Sequence, residues 1–127
     1  MTLPREAITS DKPSAAALPF SMAVRGGGLI YFSGPVAADP ATGELIDGDV
    51  AQQTDQVLRN LATALAAADK DLGDVVRVGV YLTDMSQFAA MNEVYRRHFT
   101  EPYPARTAIG VAALPLGAAV EMDVVAG

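Results

Sequence analysis

The sequence contains no cysteine and a single histidine, His98. Without cysteine the chain has no disulfide, no thiol nucleophile and no thiolate metal site. One histidine cannot form a multi-histidine metal site, so we expect no bound metal. We interpret His98 as a residue at a helix end, where the helix dipole favours a cation, rather than as a catalyst.

Positive charge is also scarce, with 9 Lys and Arg against 15 Asp and Glu and a net charge of −6. Nucleic-acid binding depends largely on cationic contacts with phosphates, so we expect no nucleic-acid partner. No run of about 20 apolar residues is present, and we expect no membrane span. The N-terminus lacks a basic segment that leads into an apolar one, which argues against a secretory signal and favours the cytoplasm.

What the sequence does contain is enough apolar surface for a real core. Half of its 127 residues are hydrophobic and 19% are charged. This length and composition predict one compact globular domain that spans residues 1–127.

The first half of the chain predicts an arm, a hairpin and a helix. Met1–Pro13 is interpreted as an extended arm. Phe20–Val24 and the apolar segment that starts at Leu29 flank three glycines and predict a β-hairpin, with Phe20 in the core. The glycines form a turn and not a phosphate cradle, because no Lys-Ser/Thr pair follows them. Asp49 is the expected N-cap of a helix that ends near Ala68, and Gln52 three residues on completes a capping box.

A strong strand and a second helix follow. Val75–Leu82 is the clearest strand, and we expect Val76, Val78, Val80 and Leu82 on one side of it. The second helix is predicted from Thr83-Asp84 to about Phe99. Its stripe of Phe88, Met91, Tyr95 and Phe99 is interpreted as core.

The last quarter of the chain holds two apolar runs, Ala105–Ala112 and Ala119–Ala126. The second run alternates, and we expect Val120, Met122 and Val124 on one side and Glu121, Asp123 and Val125 on the other. The segment 114–117 between them, Leu-Pro-Leu-Gly, predicts a tight reversal, so we expect a two-strand unit. Arg106 and Glu121 are charges in this apolar context. By themselves they have ordinary interpretations, as a solvated surface charge and an outward strand residue.

The predicted order is strand–strand–helix–strand–helix–strand–strand. Two helices cover only one face of such a sheet, yet several strands are apolar on both sides. We therefore expect self-association to cover the second face.

The terminal stretch, P-A-R-T-x-x-G-V-A-x-L-P-x-G-A-x-V-E-M-D-V-V-A, closely resembles the signature of the RidA/YjgF family of reactive-intermediate deaminases. Members of this family also carry the name endoribonuclease L-PSP. The segments 30–34, 39–44 and 88–95 resemble further blocks of the family. The resemblance therefore runs along almost the whole chain.

The resemblance implies a chorismate-mutase-like α/β (α+β) fold, with a mixed sheet and two helices on one face. It also implies a homotrimer with a central β-barrel and clefts between subunits. The implied activity is hydrolysis of 2-aminoacrylate/2-iminopropanoate and 2-iminobutanoate to 2-keto acids and ammonia, without a cofactor.

The resemblance also assigns roles to residues. Arg106 would clamp the substrate carboxylate. Glu121 would position or deprotonate the attacking water, helped by a backbone carbonyl near Ala108. Asn92 would line the pocket and hydrogen-bond substrate or hold Arg106; alone, it would be a polar surface residue. Ser33 and Gly34 match the pocket wall, where glycine permits close backbone approach.

The sequence departs from the family at two positions. Phe20 stands where the pocket usually has a tyrosine, so one hydroxyl is missing. Ala108 stands where many members have cysteine, which is acceptable if only the carbonyl matters. Both changes allow a more apolar pocket and a shifted substrate preference.

Two other functions remain open at this stage. The cleft of this fold could hold a 2-keto acid or related metabolite in a non-enzymatic sensor. Ribonuclease or translation-inhibitor activity is the other candidate, and the acidic charge balance opposes it. The preferred imine is not determined by the sequence, nor is the choice between general metabolite repair and a dedicated pathway.

Overall fold

The computed structural model describes residues 5–9 and 18–127. The elements in chain order are β1 Glu6–Ile8, β2 Ala23–Gly26, β3 Leu29–Phe32, α1 Val50–Ala66, β4 Val75–Leu82, α2 Phe88–His98, β5 Ala105–Gly110 and β6 Val120–Ala126. The strands form one six-stranded sheet in the order β1-β2-β3-β6-β4-β5. No helix in these two ranges is both long and apolar enough to cross a membrane.

The hairpin of β2 and β3 confirms the prediction from the glycines. Gly26 pairs with Leu29, so Gly27 and Gly28 form a two-residue turn, with φ of 60° and 81°. Positive φ at both central residues is the backbone of a tight hairpin turn, and glycine adopts it without steric cost. The first strand begins at Ala23, later than the predicted Phe20.

The N-terminal arm contains a strand that the sequence pattern did not predict. β1 pairs antiparallel with β2, and Glu6 lies opposite Arg25. Three residues are too few to show a period of two, which explains why no strand was predicted. Residues 1–4 and 10–13 of the predicted arm lie outside the described residues.

Helix α1 begins at the predicted cap. The Asp49 carboxylate accepts from the Gln52 backbone N–H at 2.9 Å, and the Gln52 side chain accepts from the Asp49 N–H at 2.9 Å. This reciprocal pair is the capping box that the sequence indicates. Helix α2 begins at Phe88, later than predicted, because Asp84 caps a short 3₁₀ turn, Met85–Gln87, that comes before it.

Both helices pack on one face of the sheet, as predicted. The core holds Val57, Leu58, Leu61 and Leu65 from α1, Met91 and Tyr95 from α2, and Ile30, Phe32, Val78, Val80, Leu82, Val120, Met122, Val124 and Ala126 from the sheet. We call this side the helix face and the other side the open face. Exposed Tyr31 and Ile109 alternate with core residues and so lie on the open face.

The predicted two-strand unit at the C-terminus is wrong. Strands β5 and β6 are not neighbours, since β4 lies between them, parallel to β5 and antiparallel to β6. The helix α2 carries the chain from β4 to β5, and a helical crossover joins parallel strands. The turn at Pro115–Gly117 exists, with φ of 61° at Leu116 and 71° at Gly117, but the chain then passes to the far side of β4.

One position of β4 also differs from the prediction. The register of β4 against β6 shifts between Val75 and Arg77, which marks a β-bulge. A bulge changes the face on which the next side chain lies. Val75 is therefore buried, at 7% exposure, whereas Val76 is 49% exposed and does not join Val78, Val80 and Leu82.

Candidate functional site

Arg106 projects from the edge strand β5 onto the helix face. It pairs with the buried residue Val78 of β4, and paired residues share a face. Its guanidinium carbon lies 4.7 Å from the centre of the Tyr95 ring and 5.5 Å from that of Phe88. A guanidinium within about 6 Å of an aromatic ring centre is attracted to the ring face. The two rings of α2 therefore form a seat that orients Arg106.

This guanidinium opens onto a small cavity between α2 and β5. The cavity has a volume of about 220 Å³ and is lined by Asn92, Tyr95, Arg96, Tyr103 and Arg106. Among the described residues, its lining brings two guanidiniums, an amide and two phenol rings together, and no carboxylate. In the described part of the chain, Arg106 makes no ion pair with a carboxylate. The cavity therefore has the size and charge for a small carboxylate.

Tyr95 is a functional candidate, although its place in the hydrophobic stripe of α2 predicted a core role alone. It is 5% exposed, and its hydroxyl has no hydrogen-bond partner among the described residues. Burial raises the pKa of Tyr95, and the nearby Arg106 acts in the opposite direction. The signal that could have found it is the helical spacing of Phe88, Asn92 and Tyr95, which places two rings and one amide on one face of α2.

Glu121 lies on the opposite side of the sheet from Arg106. It alternates with Val120 and Met122, which are fully buried on the helix face, and it pairs with Tyr81 of β4. Its carboxylate is half-buried, and among the described residues no hydrogen bond to it contributes to its pKa. Burial raises the pKa of Glu121, and the negative charge of Asp123 adds to the effect. Within one chain, the two predicted catalytic groups therefore do not meet.

The residues of the predicted pocket wall lie near the end of β3. The Ser33 hydroxyl donates to the Ser21 carbonyl at 2.6 Å, which ties Ser33 to the residue after Phe20. Phe20 is 66% exposed, so its placement in the core was wrong: β2 starts only at Ala23, and the Phe20 ring lies outside the sheet.

Gly34 has a structural reason to be glycine. A Cβ at this position would lie 2.7 Å from the Met122 carbonyl oxygen and 3.0 Å from its carbon. The close approach is therefore to the backbone of β6, next to Glu121, and any side chain would force the two segments apart.

Ala108 lies on the same face and strand as Arg106. It pairs with Val80 and packs partly buried against the core. The structure thus groups Arg106, Asn92 and Ala108 on the helix side of β5, whereas Glu121 lies on the open face. The roles predicted for these residues stay predictions.

A second cavity, of about 180 Å³, lies at the C-terminal end of α2 and contains none of the predicted site residues. His98 is one of its lining residues, and it ends α2 as the sequence indicated. Its Nε2 contacts the Asp55 carboxylate of α1 at 2.8 Å, so it joins the two helices. Across residues 5–9 and 18–127, no group of three His, Cys, Asp or Glu side chains is arranged to hold a metal.

Comparison with known proteins shows which family the chain belongs to. The family model described as Endoribonuclease L-PSP matches residues 9–127. The chain belongs to this family. The resemblance to RidA/YjgF proteins is thereby confirmed, because relatives and solved structures with RidA and deaminase names match the chain over most of its length.

Two curated relatives show the range of names in the family. Protein DfrA of Myxococcus xanthus is 45% identical over 124 residues, which cover 96% of this chain and 95% of DfrA. The mouse 2-iminobutanoate/2-iminopropanoate deaminase is 43% identical over 122 residues, which cover 96% of this chain and 90% of the mouse protein.

Two crystal structures share the fold. RidA from an Antarctic Psychrobacter species superposes with a TM-score of 0.87 at 44% identity, over 95% of this chain and 98% of that one. TdcF of E. coli, solved with bound serine, gives a TM-score of 0.84 at 31% identity, over 95% of this chain and 97% of TdcF. The mixed α+β fold of this chain is therefore that of RidA proteins.

Proposed function

We propose that the protein hydrolyses small imines and enamines of 2-amino acids to 2-keto acids and ammonia, in a site shared between copies of the chain. The observation that carries this proposal is the Arg106 guanidinium, seated on Tyr95 and Phe88 and open to a small cavity without acidic lining. The mouse relative named as a 2-iminobutanoate/2-iminopropanoate deaminase supports the same reaction.

Arg106 holds the substrate carboxylate. A guanidinium presents parallel N–H donors that match the two oxygens of a carboxylate, and the aromatic seat fixes the plane in which these donors lie. Asn92, at the rim of the same cavity, supplies a further donor or acceptor. Serine, the ligand in the TdcF structure, is likewise a small amino acid with a carboxylate. Fixing the carboxylate places the adjacent C=N carbon at a defined position.

The hydrolysis needs water and one group that moves protons. An enamine first takes a proton at its terminal carbon and becomes the imine. The imine nitrogen takes a proton from solvent, water adds to the resulting iminium carbon, and Glu121 accepts the proton that this water loses, which leaves a neutral carbinolamine. Glu121 passes that proton to the amine nitrogen. The C–N bond then breaks as the hydroxyl proton goes to Glu121, which gives the keto acid and ammonia, and Glu121 releases the proton to solvent. Burial raises the pKa of Glu121, so it accepts a proton more readily than an ordinary surface carboxylate.

The site requires a second copy of the chain, because Arg106 and Glu121 lie on opposite faces of one sheet. A neighbouring copy that covers the open face brings its own β5 edge and Arg106 toward Glu121. Exposed Tyr31 and Ile109 on this face provide apolar surface for such a contact. The homotrimer implied by the family resemblance is the proposed assembly.

Ammonia release from freshly generated 2-iminopropanoate tests the proposal. We expect Arg106→Ala and Glu121→Gln each to lower kcat/KM by roughly 100-fold or more. Arg97→Ala is the matched control, since Arg97 is an exposed arginine of α2 that does not line the cavity. Wild-type rates in the Arg106 variant would refute the proposal.

Mixing the two inactive variants tests whether the site is shared. If each site takes Arg106 from one chain and Glu121 from another, equal amounts of the variants, unfolded and refolded together, recover about a quarter of the wild-type activity, because half of the chains carry each intact group. Sites contained in one chain would recover none.

A sensor of 2-keto acids is the second candidate. The observation that favours it is that no carboxylate lines the Arg106 cavity among the described residues of one chain, and that Glu121 lies on the other face of the sheet. Binding of 2-ketobutyrate that depends on Arg106, without any turnover of 2-iminopropanoate, would support the sensor instead of the enzyme.

A further inference from the structure

On the open face, Glu121 has three neighbours that form a polar arrangement: Tyr81, Gly79 and Asp123. In the register of β4 against β6, Tyr81 pairs with Glu121 and Gly79 pairs with Asp123. The Tyr81 hydroxyl does not turn to its direct neighbour Glu121. It reaches diagonally across Gly79 and donates to the Asp123 carboxylate at 3.0 Å. Diagonal neighbours in an antiparallel pair are within reach of a tyrosine side chain.

Gly79 makes room for this hydrogen bond. A Cβ at residue 79 would collide with the Asp123 carboxylate and lie 3.0 Å from the Tyr81 hydroxyl oxygen. Glycine inside a strand weakens it and often marks a close approach of another group. Here the group that approaches is the Tyr81–Asp123 pair.

The pairing leaves Glu121 free. Tyr81, the polar residue opposite it, donates to Asp123, and no hydrogen bond from another described residue contributes to the pKa of Glu121. Hydrogen bonding to Asp123 raises the pKa of Tyr81, followed by burial, so the hydroxyl keeps its proton and stays a donor. Glu121 thus has a vacant carboxylate next to a fixed negative charge.

We propose that Asp123 is a positioning residue for Glu121: it holds the Tyr81 hydroxyl away from Glu121, and its negative charge makes the Glu121 carboxylate a stronger proton acceptor. This inference rests on the proposed imine hydrolysis, in which Glu121 carries the proton. Like charges that lie close together favour protonation of one of them.

Other charged and titratable groups lie on the open face, and they do not cancel the influence of the Asp123 charge on Glu121. On β4, the Arg77 guanidinium donates to the Val78 carbonyl at 3.1 Å and to the Thr107 hydroxyl of β5 at 3.4 Å. Arg77 pairs with Val125, at the other end of the strand from Glu121. On the β3 side, the titratable side chain of the open face is Tyr31, which pairs with Val125 and is neutral near pH 7. Asp123 is therefore the charge that acts most strongly on Glu121, and the raised pKa of Glu121 reflects this charge in addition to burial.

Asp123→Asn tests the proposal, because asparagine keeps the shape and can still accept from Tyr81. We expect the pKa of Glu121, followed by carbon NMR of its carboxyl group, to fall. The acid limb of the kcat/KM profile shifts to lower pH with it. At the plateau kcat falls about 3- to 10-fold, since the base is weaker, while KM is unchanged because Arg106 is intact.

Two further variants separate charge from packing. Tyr81→Phe removes the hydrogen bond but keeps the Asp123 charge, so the pKa of Glu121 stays raised. Glu44→Gln removes a negative charge from an exposed turn and leaves the pKa of Glu121 as it is. An unchanged pKa of Glu121 in Asp123→Asn, or an equal fall in Tyr81→Phe, overturns the proposal.

The NMR titration does not depend on activity, so the two proposals fail separately. If the wild type hydrolyses imines but Asp123→Asn leaves the pKa and the pH profile in place, the proposed function stands and the role of Asp123 is refuted. If the wild type shows no turnover, imine hydrolysis fails, and with it the catalytic role of Asp123, while the titration still decides whether Asp123 raises the pKa of Glu121.

Discussion

The Arg106 guanidinium and the Tyr95 ring are stacked, with 4.7 Å between the guanidinium carbon and the ring centre. The cation thus rests on a side chain that is itself fixed in the core, 4.6 Å from the Phe99 ring. A long, flexible arginine held in this way loses less conformational freedom when it binds a carboxylate. The aromatic seat is therefore as much a part of the binding cavity as the guanidinium.

Removing this seat is expected to weaken substrate binding. Tyr95→Leu removes the ring face, worth about 0.5–2 kcal/mol to a bound cation, and raises KM about 2- to 30-fold. Tyr95→Phe keeps the ring face and removes a buried hydroxyl that has no hydrogen-bond partner in residues 5–9 and 18–127, so KM is unchanged and the free energy of unfolding does not fall. Imine hydrolysis assays and urea denaturation of both variants test this. A larger rise of KM in Tyr95→Phe than in Tyr95→Leu would contradict the role of the ring.

Substitution at Gly34 is expected to damage the sheet beside Glu121. In Gly34→Ala the new Cβ meets the Met122 backbone, so the free energy of unfolding falls by about 1–3 kcal/mol. Gly26→Ala is the matched control, since a Cβ there has no atom within 4 Å. Urea denaturation of the two variants measures the difference. Equal stability of both would show that β6 moves aside without cost.

The contact between the helices is expected to weaken in acid. The Asp55 carboxylate contacts His98 Nε2 at 2.8 Å and Arg59 Nε at 2.7 Å. Burial acts to raise the pKa of Asp55, but the hydrogen bonds and charges of His98 and Arg59 outweigh it and lower the pKa. A carboxylate with a lowered folded-state pKa contributes stability above its unfolded pKa and loses it as the pH falls through the folded value.

We therefore expect Asp55→Asn to cost about 0.5 kcal/mol near pH 7, the size typical of partly exposed pairs. The difference from the wild type should vanish below the folded-state pKa of Asp55, where both side chains are neutral. Denaturant titrations across the acid range measure this. A difference that is the same at every pH would mean that charge plays no part.

Restoring a hydroxyl at residue 20 is expected to raise activity. By the family resemblance, Phe20 takes the place of a pocket tyrosine. Its side chain is exposed, and the next residue, Ser21, accepts a hydrogen bond from the Ser33 hydroxyl. If the family tyrosine donates to substrate or water, Phe20→Tyr gains one hydrogen bond of about 0.5–1.5 kcal/mol, or about 2- to 12-fold in kcat/KM. Lower or unchanged kcat/KM would show that the cavity of this protein works without that hydroxyl.

The parts of the fold that the sequence predicted correctly are those fixed by local chemistry. The capping box of Asp49 and Gln52, the glycine turn of the first hairpin and the alternation along β6 each depend on residues a few positions apart. Local backbone preference and side-chain period decide such features before any tertiary contact forms.

The errors have a common cause, which is pairing between distant segments. The hydrophobic pattern predicts which side of each strand is buried, but it does not predict which strands pair. The pattern therefore predicted a hairpin of β5 and β6, although β4 lies between them. The bulge that exposes Val76 is likewise set by the register with β6. Tyr95 shows the same limit at the site. Its helical spacing predicts a buried residue, and only the position of Arg106 in the fold shows that the Tyr95 ring also contacts a guanidinium.

The position of β4 between β5 and β6 means that the C-terminal quarter, although it holds both proposed catalytic groups, is not an independent module. A peptide of residues 101–127 would carry the whole family signature yet lack the strand on which both of its halves assemble. Grafting that signature onto another protein would transfer the residues without their arrangement. The separation between the Arg106 guanidinium and the Glu121 carboxylate depends on β4, which comes earlier in the chain.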